Sequence, residues 1–242
     1  WRNQWKTRLD AIQSDLDDLL RSRMEAALAG DVEAFLRSVD PSVPNLRVAE
    51  AGWVSDLISK SPEEFSISGQ PLTIYEDGRV LVSINLAVLR SGGSTDLSYP
   101  VLVKMNRTTP LWSGTPFETL YGGRVAIRYP EGQESLAQDL LEESDAILTG
   151  MTEALEISPK GRLLIEVFDD PDSFRASIFF SYPLTEGTAA WTAEGENIKL
   201  YLQPGTDPEE FVRAHQSELA SQIARWLLYG SGIDSEWLLK GV

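Results

Sequence analysis

The stretch DPEEFVRAHQSELASQIARWLLYG, residues 207–230, decides how the second half of the chain is interpreted. Its first aspartate can cap a helix, the proline after it suits a first turn, and the two glutamates complement the helix dipole. Apolar residues then recur at helical spacing up to a final glycine. We therefore predict a helix from about Pro208 to Tyr229, with Ser217 and Ser221 one turn apart on the same face.

The segment SELAS, residues 217–221, has the spacing of the zinc-binding motif H-E-x-x-H but none of its histidines. In that motif two histidines at i and i+4 hold Zn²⁺, and the glutamate between them acts as general base. Here Ser217 and Ser221 stand at the histidine positions, and Glu218 stands at the position of the base. Serine hydroxyls bind Zn²⁺ poorly, so we predict that this helix holds no metal and catalyses no hydrolysis.

The chain around this helix resembles the N-terminal half of a gluzincin, a zincin of the peptidase MA-like superfamily. Three pieces carry the resemblance: AIRYPEG with the long helix after it, IEVFDDPDSF, and SELAS through WLLKG. Gluzincins take their third zinc ligand from a glutamate in a W-L-x-E-G-like segment, and Lys240 stands at that position, with 18 residues between it and Ser221. The resemblance covers about residues 121–242 and implies a zincin-like α/β subdomain with a mixed sheet, a motif helix and a degenerate metal site.

Lys240 places a cation where zinc would need a carboxylate. Two interpretations of it stay open: an ion pair with Glu218 in the space left by the metal, or two separately solvated charges. The single histidine, His215, lies two residues before the SELAS segment and borders the apolar side of the helix. We interpret it as a structural residue, because no G-x-S-x-G segment accompanies it as a serine hydrolase would require.

The first half of the chain predicts a different architecture. Helical spacing in WKTRLDAIQSDLDDLLRSRMEAALAG and in two shorter segments predicts three helices. Alternating residues and the turn signal Asp77-Gly78 then predict antiparallel hairpins, which Leu111-Trp112-Ser113-Gly114 closes. This order resembles the nuclear transport factor 2-like (SnoaL-like) fold, which implies cone-like helices plus a curved antiparallel sheet. The whole chain is therefore expected to be α+β, with domains at 1–120 and 121–242.

Composition narrows the classes of partner. The chain has 21 basic and 37 acidic residues, a net charge of −16, and no cysteine. Such a charge repels nucleic acid, so we expect a neutral or basic peptide or protein partner and no nucleic acid. Without cysteine there are no disulfides, thiolate metal sites or cysteine nucleophiles. We expect no cofactor. The oligomeric state stays open, as does a membrane anchor outside residues 1–242.

Two classes of function follow from these patterns. Bacterial surface proteins that join a nuclear transport factor 2-like domain to such a peptidase domain resemble this chain. The first hypothesis is therefore a non-catalytic pseudo-peptidase that binds a partner or scaffolds an assembly at a bacterial cell surface. Active gluzincins receive substrate as an added strand before the motif helix. The corresponding groove edge in WTAEGENIKLYL contains Trp191, Ala193, Gly195 and Ile198. The alternative is an enzyme, either a hydrolase or isomerase that uses the cone pocket or an atypical metallopeptidase.

Overall fold

The computed structural model describes residues 2–90, 93–105, 109–159, 161–182, 188–193 and 195–231. It shows an α+β protein that divides into two compact units, Trp1–Pro116 with Arg175–Pro183 and Phe117–Phe174 with Leu184–Val242. The expected α+β class is confirmed. The division expected at residue 120 takes no account of Arg175–Pro183, a segment from the second half of the sequence that belongs to the first unit.

The first unit has three helices followed by a four-stranded antiparallel sheet. The helices are α1 (Arg2–Leu28), α2 (Val32–Leu36) and α3 (Leu46–Ser59). The strands, which neighbour one another in chain order, are β1 (Glu64–Ile74), β2 (Arg79–Arg90), β3 (Gly93–Lys104) and β4 (Leu111–Gly114). The predicted turn joins β1 to β2, and Gly78 adopts a φ of +85° there, a conformation that favours glycine.

Apolar side chains at every second position of β2 form the core of this unit. Val80, Val82 and Ile84 are each at most 1 % exposed, because side chains at every second strand position face the helices. Leu16 and Leu20, one helical turn apart on α1, are each 1 % exposed and belong to the same apolar cluster. The apolar face of α1 and the apolar face of the sheet therefore pack together in one core.

Phe180 completes that core from a distant part of the sequence. Its side chain is 3 % exposed, and its ring packs edge-on against Trp53 at a centroid distance of 5.3 Å. Arg90 and Arg175 both donate to the backbone oxygen of Phe180, at 3.2 Å and 3.1 Å. The Asp56 carboxylate accepts from the backbone N–H of Ser181 at 2.9 Å. The segment is therefore held by an aromatic contact and by hydrogen bonds to its backbone.

The second unit has a five-stranded mixed sheet in the order β5-β6-β7-β9-β8. Its strands are β5 (Glu118–Tyr121), β6 (Val125–Tyr129), β7 (Leu163–Phe168), β8 (Ala190–Trp191) and β9 (Ile198–Tyr201). Its helices are α4 (Glu134–Leu155), between β6 and β7, and α6 (Pro208–Ser231), after β9. Helix α5 (Pro171–Ser177) follows β7 and runs into the segment Arg175–Pro183 of the first unit. Strands β6, β7 and β9 are parallel, whereas β5 and β8 pair antiparallel at the two ends of the sheet.

Helices α4 and α6 cover one face of this sheet. Ile127, Ile165 and Ile198 lie on three neighbouring strands, are fully buried and share an apolar cluster with residues of both helices. The stretch quoted at the start forms α6, which begins at the predicted Pro208 and ends two residues beyond the predicted Tyr229. The helix predicted from Pro208 therefore exists and packs on a mixed sheet.

We expect Phe180→Ala to lower the free energy of unfolding of the first unit by about 3–5 kcal/mol, because truncation removes a buried ring and leaves a cavity beside Trp53. Native-state hydrogen exchange of the β2 amides measures this free energy for the first unit alone. Tyr182→Ala is the matched control, since Tyr182 is 40 % exposed and its loss should change the value by no more than about 0.5 kcal/mol. Equal effects of the two substitutions would contradict the role assigned to Phe180.

Candidate functional site

Helix α6 presents Ser217 and Glu218 of the SELAS segment on its outer side. Leu219 and Ile223 are at most 2 % exposed and face the sheet and α4, as the periodicity predicts. Ser217 and Glu218 are exposed and Ser221 is half-buried. The side chains at the two histidine positions and at the base position therefore lie at the surface of the helix, away from its buried stripe.

Glu218 is tethered to its own helix. The amide nitrogen of Gln222 donates to a Glu218 carboxylate oxygen at 2.6 Å, an i,i+4 contact. Gln222 is 2 % exposed, and in the part of the chain that the structure describes its amide oxygen accepts no hydrogen bond. Lys240 lies outside the described residues, so its pairing with Glu218 stays a prediction.

His215 has the structural role that was predicted for it. Its Nδ1 lies 2.8 Å from the backbone oxygen of Phe211, one turn earlier, and its ring packs on the Phe211 ring at 4.4 Å. The imidazole is half-buried. Within the described ranges, no three His, Cys, Asp or Glu side chains come together in a way that could hold a metal ion.

The stretch WTAEGENIKLYL folds into an antiparallel hairpin of β8 and β9. Trp191 lies on β8, Ala193 leads into the turn, and Gly195 is in the turn with a φ of +75°. Ile198 lies on β9, whose backbone pairs with β7 on one side and β8 on the other. The placement of Ile198 on an open edge was therefore wrong, because two strands with a turn between them put it inside the sheet.

Strand β8 is the last strand of the sheet among the residues that are described. Its Ala190 is opposite Leu200, and Trp191 is opposite Lys199. The backbone N–H of Tyr201 donates to the oxygen of Ala189 at 2.8 Å, so Ala189 bonds toward β9. Because alternate residues of an antiparallel strand bond to the same neighbour, the N–H and C=O of Ala190 point away from β9.

The second face of the sheet carries a row of charges that the sequence analysis missed. Arg128, Glu166 and Lys199 are register partners on β6, β7 and β9, and each is at most 8 % exposed. Arg128 donates to Glu166 at 2.5 Å, and its guanidinium carbon lies 5.0 Å from the centre of the Phe117 ring. The signal in the sequence was one charged residue within each of the apolar runs VAIRY, LLIEVF and IKLY.

Lys199 joins this row to the β8 hairpin. Its ammonium lies 2.9 Å from a carboxylate oxygen of Glu196, and both side chains are 2 % exposed. The same ammonium lies 4.7 Å from the centre of the Trp191 ring on β8. A buried cation therefore holds the turn residue Glu196 and the edge residue Trp191 together.

A second polar cluster lies inside the first unit. An enzyme that used the cone pocket would have its active site in this unit. Glu50 accepts from Arg23 at 2.5 Å and from the indole N–H of Trp112 at 2.9 Å. Arg23 is 3 % exposed and lies between the Phe35 and Trp112 rings. Burial, and the Glu50 charge, raise the pKa of Tyr99. The phenol therefore stays protonated, and the Glu50 carboxylate is already occupied by two donors.

Comparison with protein-family models and with curated proteins finds no match. None of the helices in the described part of the chain combines the length and the apolar character that a membrane span needs.

We expect Lys199→Met to destabilise the second unit by about 3–5 kcal/mol, because it leaves the Glu196 carboxylate buried without this cation. The double variant Lys199→Met/Glu196→Gln should lose less, because it removes both charges. Hydrogen exchange of the β7 amides measures the effect, and Lys60→Met, at an exposed position, is the control for the side-chain change. A double variant that is no more stable than Lys199→Met would show that the pair itself does not matter.

Proposed function

We propose that the second unit is a degenerate gluzincin-like peptidase unit and that the protein is a non-catalytic binding or scaffold protein. The observation that carries the proposal is the order of elements: parallel strands, an antiparallel strand β8 at the end of the sheet, and then the helix α6 with Ser217 and Glu218 on its outer side. In an active gluzincin an antiparallel edge strand and a motif helix of this kind border the substrate groove.

The chemistry at α6 supports binding without hydrolysis. The positions of the two zinc ligands hold hydroxyls, and the position of the third holds a lysine. Glu218, at the position of the general base, is hydrogen-bonded to Gln222. A lone carboxylate cannot hold zinc and generate the bound hydroxide that attacks a peptide bond.

The backbone of β8 supplies the proposed binding groups. The N–H and C=O of Ala190 point away from β9, while the residue as a whole is 7 % exposed and its side chain belongs to the apolar cluster. On this proposal an extended peptide adds as a further strand and bonds to both backbone groups. Main-chain bonding of this kind gives affinity with little dependence on sequence. The net charge of −16 favours neutral or basic peptides. The resemblance to two-domain surface proteins supports a location at a bacterial cell surface.

Restoring the ligands tests whether the three positions surround one site. We expect the triple variant Ser217→His/Ser221→His/Lys240→Glu to bind Zn²⁺ at least about tenfold more tightly than Ser217→His/Ser221→His, because a third protein ligand completes the site. Competition with a chromogenic chelator measures both affinities. The double variant is the matched control, since two histidines one turn apart on an exposed helix bind zinc by themselves. Equal affinities in folded variants would contradict the gluzincin-like assignment.

The binding role predicts an effect at Ala190 that does not depend on zinc. Heptapeptides selected on the wild-type protein from a random display library should bind about tenfold more weakly to Ala190→Pro, because proline removes the outward N–H. Ala190→Gly is the control, since it changes the side chain at the same position but keeps the N–H. Fluorescence anisotropy of labelled peptides measures the affinities, and circular dichroism checks folding. If the selected peptides bind both variants equally, strand addition at β8 is wrong.

A further inference from the structure

A cavity of about 660 Å³ lies in the first unit, apart from the elements of the proposed function. One wall is a face of α1 with Asp15, Asp18 and Ser22, which recur at helical spacing. The end of α2 and the residues that lead into β4 form the other walls. Sites for small molecules typically measure about 300–1,000 Å³, so the cavity has the size of a ligand site.

The cavity carries both signs of charge on different elements. Asp15 and Asp18 come from α1, and Arg37 comes from the end of α2. The exposed Asp18 pairs with Arg21 of its own helix at 2.9 Å. Among the ion pairs of the described residues, none joins Arg37 to either aspartate. A guanidinium and two carboxylates therefore line one space without neutralising one another.

The rest of the lining adds hydroxyl groups, apolar side chains and one serine whose position is fixed by hydrogen bonds. Ser22 and Thr109 contribute exposed hydroxyls, and four side chains of the lining are apolar. Ser38 is 8 % exposed and is held in place, because its hydroxyl accepts from Arg23 at 2.8 Å and donates to the oxygen of Phe35 at 2.6 Å. Among the described residues that line the cavity none is aromatic, which disfavours ligands that bind by stacking, such as nucleobases.

We propose that this cavity binds a short peptide in its zwitterionic form. The peptide ammonium lies toward Asp15 and Asp18, and the carboxylate pairs with Arg37, whose planar guanidinium matches a carboxylate in two hydrogen bonds. The apolar walls accept an aliphatic side chain between the two ends. An inorganic anion fits poorly beside two carboxylates, and a metal ion fits poorly beside a guanidinium.

Titration calorimetry of the full chain with blocked and unblocked dipeptides tests the proposal. We expect Ala-Leu to bind saturably, and we expect acetyl-Ala-Leu and Ala-Leu-amide each to bind about fivefold more weakly, because each lacks one exposed charge contact. Leucine and Ala-Ala-Leu test the length that spans the charges. If none of the three unblocked ligands saturates below about 10 mM, or if both blocked dipeptides bind as well as Ala-Leu, the proposal is overturned.

Charge-removing variants assign the ends of the ligand. Arg37→Gln should bind Ala-Leu and Ala-Leu-amide equally, because the partner of the carboxylate is gone, while it still discriminates against acetyl-Ala-Leu. Asp15→Asn should weaken the discrimination against acetyl-Ala-Leu alone. Arg225→Gln, at an exposed position of α6, is the control and should leave every affinity unchanged. If Arg37→Gln keeps the preference for the free carboxylate, Arg37 does not bind it and the proposal is wrong.

Discussion

Burial of charged side chains in the middle of the mixed sheet constrains the whole second unit. Arg128, Glu166 and Lys199 each have one charged group on the face opposite to α4 and α6. Since successive side chains of a strand point to opposite faces, a slip of one residue in any of these strands would turn its charge into the apolar cluster below the helices. An unpaired charge there would cost several kcal/mol. The charge row therefore fixes the register of the sheet, and the register fixes where β8 and α6 lie.

In the first unit, aromatic rings help to compensate a buried charge. Arg23 is enclosed by the Phe35 and Trp112 rings and bonded to Glu50, so that its charge is compensated by a carboxylate and two π faces. Asp40, which is 4 % exposed, is a buried carboxylate whose charge is also compensated by its neighbours. Burial raises the pKa of this carboxyl. Hydrogen bonds from Ser42 and Ser113 and the positive charge of Lys104 lower the pKa by a larger amount, so that it lies below the ordinary value. Its ionised form therefore adds stability that is present at neutral pH and is lost as the pH falls through the folded pKa.

Features that depend on local sequence pattern were predicted correctly. Features that depend on which residues become neighbours in space were missed. The start of α6, the turn at Gly78 and the outward position of Ser217 follow from capping, turn chemistry and helical period, and all three appear in the structure. Ile198 was misplaced because a strand pattern shows which face a residue has but not which strand lies beside it. The charge row was missed for the same reason, since its three members are isolated charges in the sequence and become partners only through strand order. Phe180 was missed because the apolar run Ile178-Phe179-Phe180 does not indicate which of the two cores each side chain enters.

The place of Phe180 in the chain has a consequence for synthesis. The core of the first unit lacks this ring until residue 180 has left the ribosome, by which time β5, β6, α4 and β7 of the second unit have already emerged. Helices and sheet of the first unit can collapse early from local contacts, but their last aromatic contact closes a loop of more than a hundred residues, from Trp53 to Phe180. Such closure is slow compared with local folding. The nascent first unit therefore spends part of translation with the Trp53 side of its core open to chaperones and proteases.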